Sequence, residues 1–194
     1  LDVLGAVDRA CRDGRALFAR PAIYAARFGL GGKEFTPGHV KACFDNMAAK
    51  KPLDGYALGV DDDVTGRSLP PAAGFKLVHK TRHECVFWGL GSDGTVGANK
   101  NSIKIIGANT DFYAQGYFVY DSKKAGGLTV SHLRFGPDPI LSPYLCESPL
   151  FVACHNFGFL KKYDMLSNAR EGATFLLASP YGPLEVWAHL PEET

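Results

Sequence analysis

The residues with the most suggestive chemical spacing are glycines 89, 91 and 94, which fit the pattern G-x-G-x-x-G. They follow the short apolar run 85–88 and precede a helix-like pattern over residues 95–107. In a strand–turn–helix unit, such glycines let the backbone approach a phosphate at the helix N-terminus. The spacing therefore predicts a site for an anionic, nucleotide-type ligand. The pattern alone is unspecific, because the chain has 22 glycines among 194 residues.

A second polar group follows the predicted strand 115–120 and consists of Ser122, Lys123 and Lys124. Asp121 precedes them, but it comes later than the acidic residue that holds a ribose diol about 20 positions after such glycines. A hydroxyl and two ammonium groups suit a phosphate on a ribose better than a free diol. That phosphate would belong to NADP or to coenzyme A. A solvated basic turn is the alternative interpretation.

Three further polar positions lie in the same part of the chain. Lys100 belongs to the polar stretch 99–102, where its ammonium group would either approach the phosphate or lie on an exposed helix face. His132 and Arg134 alternate on a strand and share one face, which suits an anion, an interface or a structural pair. His155 follows another strand. Because no Ser–His–Asp order and no nucleophile elbow is present, we assign no catalytic residue.

The cysteines and acidic residues do not form a recognisable metal-binding pattern. The chain has five cysteines, an odd number, and no C-x-x-C motif, which disfavours a disulfide framework, a zinc site and an iron–sulfur cluster. Free thiols in a reducing compartment are expected. Asp61–Asp63 follow a predicted strand and would serve as metal ligands or as a solvated turn. For want of a second ligand cluster we predict no metal site.

The overall composition excludes several classes of partner. A net charge of +1 gives no strong field for nucleic acid. No apolar run approaches the about 20 residues that span a bilayer, so we expect no membrane insertion. No signal peptide is visible, and the first residue is not Met. We therefore expect the chain to be a processed product or a part of a longer protein.

Hydrophobic periodicity predicts an α/β fold with a mostly parallel, Rossmann-like sheet, flanking helices and a short preceding helical segment. The predicted strands are 56–60, 85–88, 115–120, 128–133, 150–154 and 174–178, and the predicted helices are 95–107, 159–168 and 184–190. Thr36 and Pro37 predict a helix start, followed by an apolar stripe that we assign to the core: Val40, Cys43, Phe44 and Met47. The proline- and glycine-containing stretch 66–82 indicates a domain boundary. We predict a helical segment with the tail of a preceding domain in residues 1–75 and an α/β domain in residues 76–194.

Several long strings resemble the pyruvate:ferredoxin (flavodoxin) oxidoreductase family, which includes the pyruvate:NADP oxidoreductases. The strings are GLGSDGTVGANKNSIKIIG at 89–107, YFVYDSKK at 117–124, TVSHLRFG at 129–136 and FVACH at 151–155, with shorter matches at 32–37, 62–65 and 162–164. The resemblance covers residues 27–190 and departs from the family at Ala125, at Pro143 and over the first 26 residues. It places the chain at the end of the second domain and in most of the third, or gamma, domain, which here is truncated after residue 194.

The resemblance implies a large, dimeric, multi-domain enzyme that oxidatively decarboxylates pyruvate on thiamine diphosphate. Electrons pass through iron–sulfur clusters to ferredoxin, flavodoxin or NADP, and the acetyl group goes to coenzyme A. The gamma domain is linked to coenzyme A, so Ser122, Lys123 and Lys124 would hold its phosphates. Gly89, Gly91, Gly94 and Lys100 would lie beside them. The implied compartments are the cytosol, the mitochondrion and the hydrogenosome.

The resemblance also implies that this chain is not catalytic alone, because it has neither a thiamine diphosphate motif nor cluster-ligating cysteines. Its partners would be the remaining domains or subunits of the oxidoreductase and a larger electron-transfer assembly. Two alternatives stay open. One is a catalytically inert structural subunit derived from this family, and the other is an NADP-binding Rossmann domain.

Overall fold

The computed structural model describes residues 2–16, 19–29, 34–60, 64–121 and 126–191. The chain forms two compact units, residues 1–75 and residues 76–194. The assignment of the first to the tail of a preceding domain and of the second to a gamma-type domain stays a prediction.

The first unit combines two helices with a small parallel sheet. Its elements are α1 (Asp2–Arg12), β1 (Ala26–Arg27), α2 (Pro37–Ala48), β2 (Tyr56–Leu58) and β3 (Ser68–Leu69). The strands lie in the order β1-β2-β3, and both pairings are parallel. Tyr56 and Leu58 point to the interior of the unit and are buried.

Helix α2 begins as its sequence predicts, but its apolar stripe is not in the core. Thr36 is the N-cap residue, Pro37 is the first helical residue, and the Nδ1 atom of His39 accepts a hydrogen bond from the Thr36 N–H at 3.1 Å. Phe44 is 62% exposed, Met47 41% and Val40 40%. The core assignment of this stripe is therefore wrong, because helical spacing identifies an apolar face without identifying what covers it.

The second unit is built on a five-stranded sheet. Its elements are β4 (His83–Leu90), α3 (Thr95–Asn109), β5 (Tyr113–Tyr120), β6 (Leu128–Gly136), β7 (Phe151–Cys154) and β8 (Thr174–Leu177). The strand order is β5-β6-β4-β7-β8. Strand β6 pairs antiparallel with both β4 and β5, whereas β4–β7 and β7–β8 are parallel. Strand β6 therefore runs opposite to the other four.

The α/β fold class with mostly parallel pairing is confirmed, since both pairings of the first sheet and two of the four in the second are parallel. The antiparallel pairings have a local cause. Strands β5 and β6 are joined by a short connection, and a parallel pairing would need a crossover of about a dozen residues. Gly126 and Gly127 in this connection are the sequence signal for a hairpin.

The two faces of the larger sheet are covered differently. Helix α3 packs on one face, where a Cβ added to Gly116 would lie within 4 Å of the Ile103 side chain. The other face carries the main apolar core, formed by Val152, Cys154, Phe159, Leu160 and Met165. The helix thus lies over the strands whose ends and loops carry the predicted ligand-binding residues.

Two predicted helices are only short 3₁₀ turns. The structure has Phe157–Lys161 in place of 159–168 and Val186–His189 in place of 184–190. The Asp164 carboxylate accepts a hydrogen bond from the Ser167 N–H at 3.0 Å. Such a local side-chain bond gives the backbone an alternative to a helical bond, so the first helix does not continue through residue 168.

Candidate functional site

The carboxyl ends of four strands meet at one edge of the larger sheet. Strands β4 and β5 run in the same direction because each is antiparallel to β6, and β7 and β8 follow β4 through parallel pairings. These strands end at Leu90, Tyr120, Cys154 and Leu177. Ligands of open α/β sheets bind outside the carboxyl ends of parallel strands. This edge is therefore the candidate site.

The glycine run forms the turn from β4 into α3, and each predicted glycine has a distinct position. Gly89 lies inside β4, where an added Cβ would approach the Thr95 Oγ1 to 2.4 Å. Gly94 is the N-cap residue of α3 with a φ of 91°, which favours glycine. The Gly91 N–H donates a hydrogen bond to the Gly127 carbonyl at 2.7 Å. The turn is thereby fixed to the connection between β5 and β6.

The carboxylate of Asp93 closes this turn from within. It accepts hydrogen bonds from the Leu90 N–H at 2.7 Å and from the Thr95 N–H at 2.8 Å. Partial burial alone would raise the pKa of Asp93, but the hydrogen bonds from Thr95 and Leu90 and the nearby His155 lower it overall. Asp93 is thus ionised near neutral pH and occupies the first donor of the helix N-terminus, where an anionic ligand would otherwise bind.

Two donors at the start of α3 remain open. Within the described ranges, the N–H groups of Val96 and Gly97 have no hydrogen-bond acceptor. They belong to the first turn of a 15-residue helix, and its N-terminal N–H groups favour negative charge. The edge therefore combines a carboxylate-filled turn with an adjacent pair of free backbone donors.

His155 joins this group from the neighbouring strand. It follows β7 directly and is exposed, whereas Thr95 is 3% exposed. The Nδ1 atom of His155 lies 2.7 Å from the Thr95 Oγ1. The Asp93 carboxylate in turn accepts the Thr95 N–H, so the three residues form one chain of contacts, which we call the Asp93–Thr95–His155 relay.

Polar side chains continue beneath α3. Asn99 is 3% exposed, Thr129 4% and Ser131 0%. In the part of the chain that the structure describes, the Asn99 Nδ2, Thr129 Oγ1 and Ser131 Oγ atoms have no hydrogen-bond partner. Thr129 lies directly opposite Gly89 in the β4–β6 register, on the face that Thr95 covers. Buried polar atoms normally have a hydrogen-bond partner, because leaving them unpaired costs stability. The layer beneath α3 is therefore unusually polar for a protein core.

The structure separates the remaining predicted site residues. The Lys100 ammonium lies 5.4 Å from the centroid of the Phe118 ring, further along α3 than the free donors. Ser122, Lys123 and Lys124 lie outside the described residues, as do the carboxylates Asp61–Asp63. In the described ranges, no three His, Cys, Asp or Glu side chains are grouped closely enough to hold a metal ion.

His132 and Arg134 belong to a separate buried cluster on the opposite face of the sheet. The Arg134 Nε donates to Glu84 at 2.8 Å, and its Nη1 donates to Gln115 at 3.1 Å. The His132 Nδ1 accepts from the Cys146 N–H at 3.2 Å. Burial, assisted by the Arg134 charge, lowers the pKa of His132 to about 4. The two side chains share a face of the sheet, but each is hydrogen-bonded to other residues and not to the other in the described chain.

Sequence reasoning missed the relay although one local signal was present. Asp93 stands two residues before the first helical residue, Thr95, which is the spacing of a side chain that bonds the backbone two positions on. The link to His155 had no sequence signal, because 60 positions separate it from Thr95. Only the parallel pairing of β4 with β7 brings them together.

Comparison with known proteins identifies the lineage of this fold. A model of the family described as pyruvate ferredoxin/flavodoxin oxidoreductase matches residues 84–193. The chain belongs to this family. The oxidoreductase match includes β4 to β8 and the whole candidate edge.

Relatives within the oxidoreductase family extend the similarity. A pyruvate-flavodoxin oxidoreductase of Rhodospirillum rubrum is 52% identical over 192 residues, which is 98% of this chain and 16% of the relative. One of Nostoc sp. is 55% identical over 171 residues, or 88% of this chain and 14% of the relative. The similarity thus extends beyond residues 27–190 into the segment that the sequence analysis left unmatched. This chain spans about one sixth of the length of these oxidoreductases.

A solved structure, the pyruvate oxidoreductase subunit PORC from Thermotoga maritima, is 16% identical, with 56% of each chain covered and a TM-score of 0.43. Among the described helices of this chain, none is long and apolar enough to cross a membrane.

Proposed function

We propose that this chain is the coenzyme A-binding segment of a pyruvate:ferredoxin or pyruvate:flavodoxin oxidoreductase, which converts pyruvate to acetyl-coenzyme A. The observation that supports the proposal is the hydrogen bond from the Gly91 N–H to the Gly127 carbonyl at 2.7 Å. Asp121 and Gly126 flank the segment 122–125. This bond holds the glycine turn against Gly127, which follows Ser122, Lys123 and Lys124 within five positions of the chain.

The proposed binding mode divides the ligand between two kinds of donor. Ser122, Lys123 and Lys124 supply a hydroxyl and two positive charges to the phosphates of coenzyme A. The N–H groups of Val96 and Gly97 supply backbone donors at the start of α3. Gly89 and Gly94 shape the turn and do not themselves contact the ligand, and Lys100 remains over Phe118.

The other cofactors of such an oxidoreductase are proposed to bind elsewhere. The five cysteines are free thiols, two of them buried, and in the described ranges they form no cluster with each other or with His and acidic residues. These residues do not fit an iron–sulfur cluster. Thiamine diphosphate and the clusters would therefore be held by other segments or subunits. A reducing compartment, as these thiols favour, is part of the proposal.

Packing within the larger oxidoreductase is the second role we propose for this segment. The exposed stripe on α2, which includes Phe44 at 62%, is an apolar surface that the described residues of its own unit leave uncovered. The outer strand β5 adds Tyr113 at 51% and Tyr117 at 48%. Apolar surfaces of this kind mark contacts with other protein. The remaining domains or a second subunit are the proposed partners.

Calorimetric titration of the intact protein with coenzyme A tests the binding role. We expect saturable heat with the unchanged protein and a loss of roughly tenfold or more in affinity for the K123A/K124A double variant. K161A/K162A is the matched control, because it removes two adjacent lysines from the 3₁₀ segment and should bind normally.

Two other outcomes identify the alternatives. Correctly folded protein that gives no heat with coenzyme A indicates an inert structural subunit and contradicts the proposal. Binding of NADP in preference to coenzyme A, seen as a larger increase in unfolding temperature, indicates an NADP-binding domain instead.

A further inference from the structure

We propose that His155 is a phosphate-binding residue of this edge, held in place by Thr95 and Asp93. In this arrangement the Nε2–H of its imidazolium form donates a hydrogen bond to a phosphate oxygen of the bound nucleotide. The identity of the nucleotide rests on the proposed function, whereas the binding of a phosphate group does not.

The hydrogen-bond directions in the relay follow from the chemistry of its members. The Asp93 carboxylate only accepts, and it already accepts the Leu90 and Thr95 N–H groups. The imidazolium form of His155 carries a proton on both ring nitrogens. Its Nδ1–H therefore donates to the Thr95 hydroxyl oxygen across 2.7 Å. The ring is therefore fixed through Nδ1, and Nε2 is left for a ligand.

The surroundings of His155 favour a ligand over a structural role. Its ring meets Phe87 edge-on, with centroids 6.4 Å apart, and the residue as a whole is exposed. A histidine that served only the core would be buried, as His132 is at 7% exposure. His155 instead combines an oriented ring with an accessible outer edge, which is the arrangement that a binding residue needs.

A second observation comes from the layer beneath the relay. The Thr129 Oγ1 is buried and has no partner in the described chain, and Thr129 faces the same side of the sheet as Gly89, over which Thr95 lies. The free N–H groups of Val96 and Gly97 start on the same turn as Thr95. Polar groups of two kinds, a buried hydroxyl and two backbone N–H groups, thus lie on the side of the sheet where Thr95 contacts His155.

A phosphate is the ligand class that matches these groups. Backbone N–H donors at a helix N-terminus and an imidazolium N–H all donate, and a phosphate offers only acceptor oxygens when ionised. The Asp93 charge does not prevent this, because its carboxylate is already bound by two N–H groups at 2.7 and 2.8 Å.

Two measurements on the intact protein test the proposal. In the first, calorimetry compares coenzyme A, dephospho-coenzyme A and pantetheine as ligands of the unchanged protein and of H155Q. We expect the affinity of H155Q for coenzyme A to be roughly ten- to hundredfold lower, because a charge-assisted hydrogen bond is lost. Its affinity for pantetheine, which has no phosphate, should be unchanged. H83Q is the matched control, because His83 is exposed at the opposite end of β4.

The second measurement needs no variant, so it holds even if H155Q folds poorly. Diethyl pyrocarbonate modifies accessible imidazoles, and peptide mass spectrometry reports the rate at His155 and at His83. We expect inorganic pyrophosphate and coenzyme A to protect His155, with His83 unaffected and pantetheine without effect.

The outcomes separate the two proposals. Coenzyme A binding that is unchanged in H155Q overturns the role of His155 and leaves the proposed function standing. Protection of His155 by pyrophosphate without any binding of coenzyme A supports the phosphate site and overturns the proposed function. No protection by either ligand overturns the phosphate site.

Discussion

The larger sheet contains two clusters of ionisable side chains that differ in how completely the protein buries them. Glu84 and Arg134 form an ion pair near the start of β4, with side chains 2% and 1% exposed. The Asp93–Thr95–His155 relay lies at the other end of β4 and finishes in an exposed imidazole. The first group is enclosed by the protein, although the Glu84 Oε2 and Arg134 Nη2 atoms have no hydrogen-bond partner in the described chain. The second group ends in a side chain that a ligand is able to reach.

This difference distinguishes a structural from a functional polar group. A buried ion pair offsets much of its desolvation through its internal partners, and its burial keeps it out of reach of a ligand. A relay that ends at the surface holds its last member in a fixed orientation and leaves it available. The following substitutions test whether the two groups behave so differently, from the largest expected effect to the smallest.

Arg134→Met should give the largest loss of stability. It leaves the Glu84 carboxylate buried without its partner, which costs about 3–5 kcal/mol of unfolding free energy. Pulse proteolysis in urea measures the change. The E84L/R134M double variant is the control and should recover most of the loss, because two apolar side chains replace the whole pair. A decrease of less than about 1 kcal/mol in the unfolding free energy of Arg134→Met would contradict the burial of this ion pair.

Gly89→Ala should destabilise the second unit by about 2–3 kcal/mol through overpacking. The new Cβ would approach the Thr95 Oγ1 to 2.4 Å and the Asp93 Oδ2 to 2.8 Å, so the relay must shift. Gly97→Ala is the control, because a Cβ there meets no atom within 4 Å and a helical alanine stabilises by about 1 kcal/mol. Hydrogen exchange of peptides from β4 and α3 measures both. Equal stability of the two variants would show that the relay does not depend on Gly89.

Acidification should weaken the protein through His132, the neighbour of the closed group. Because the pKa of His132 is about 4 in the folded chain and ordinarily 6.5, the unfolded chain binds its proton first. Stability is therefore lost as the pH falls from the ordinary value towards 4, by about 2 kcal/mol between pH 7 and pH 5. The H132Q variant keeps an acceptor for the Cys146 N–H and should lack this component. Parallel pH profiles of the two proteins would refute the prediction.

Thr95→Val should have the smallest effect, confined to ligand binding. It removes the hydroxyl that holds the His155 ring, and we expect an affinity for coenzyme A about three- to tenfold lower, or about 1 kcal/mol. Thr95→Ser keeps the hydroxyl and should bind like the unchanged protein. Calorimetry distinguishes them, and equally weak binding by both variants would assign the loss to packing.

The sequence alone predicts the parts of this fold that depend on local pattern. The strand before Gly89, the helix from Thr95 and the strand direction of β7 follow from periodicity and glycine placement. The turn itself is also predicted, but its occupant is not. Glycine spacing shows where a backbone is able to bend, and it does not show that the Asp93 carboxylate fills the bend.

Long-range contacts account for what the sequence could not predict. Glu84 pairs with Arg134 across 50 positions, and Thr95 meets His155 across 60. No local preference encodes such contacts, since they depend on strand order. The exposed stripe around Phe44 has a related cause, because helical spacing is the same whether the covering surface belongs to this chain or to another protein.

The reversed direction of β6 also has a consequence for the order of folding. Strands β5 and β6 are close in sequence, and hairpins of this kind close in about 1–10 μs. The parallel pairing of β7 with β4 joins Cys85 to Phe151 and must first close a long loop. We therefore expect the hairpin to form early and β7 to dock late. His155 follows β7, so the relay becomes complete only when the sheet does.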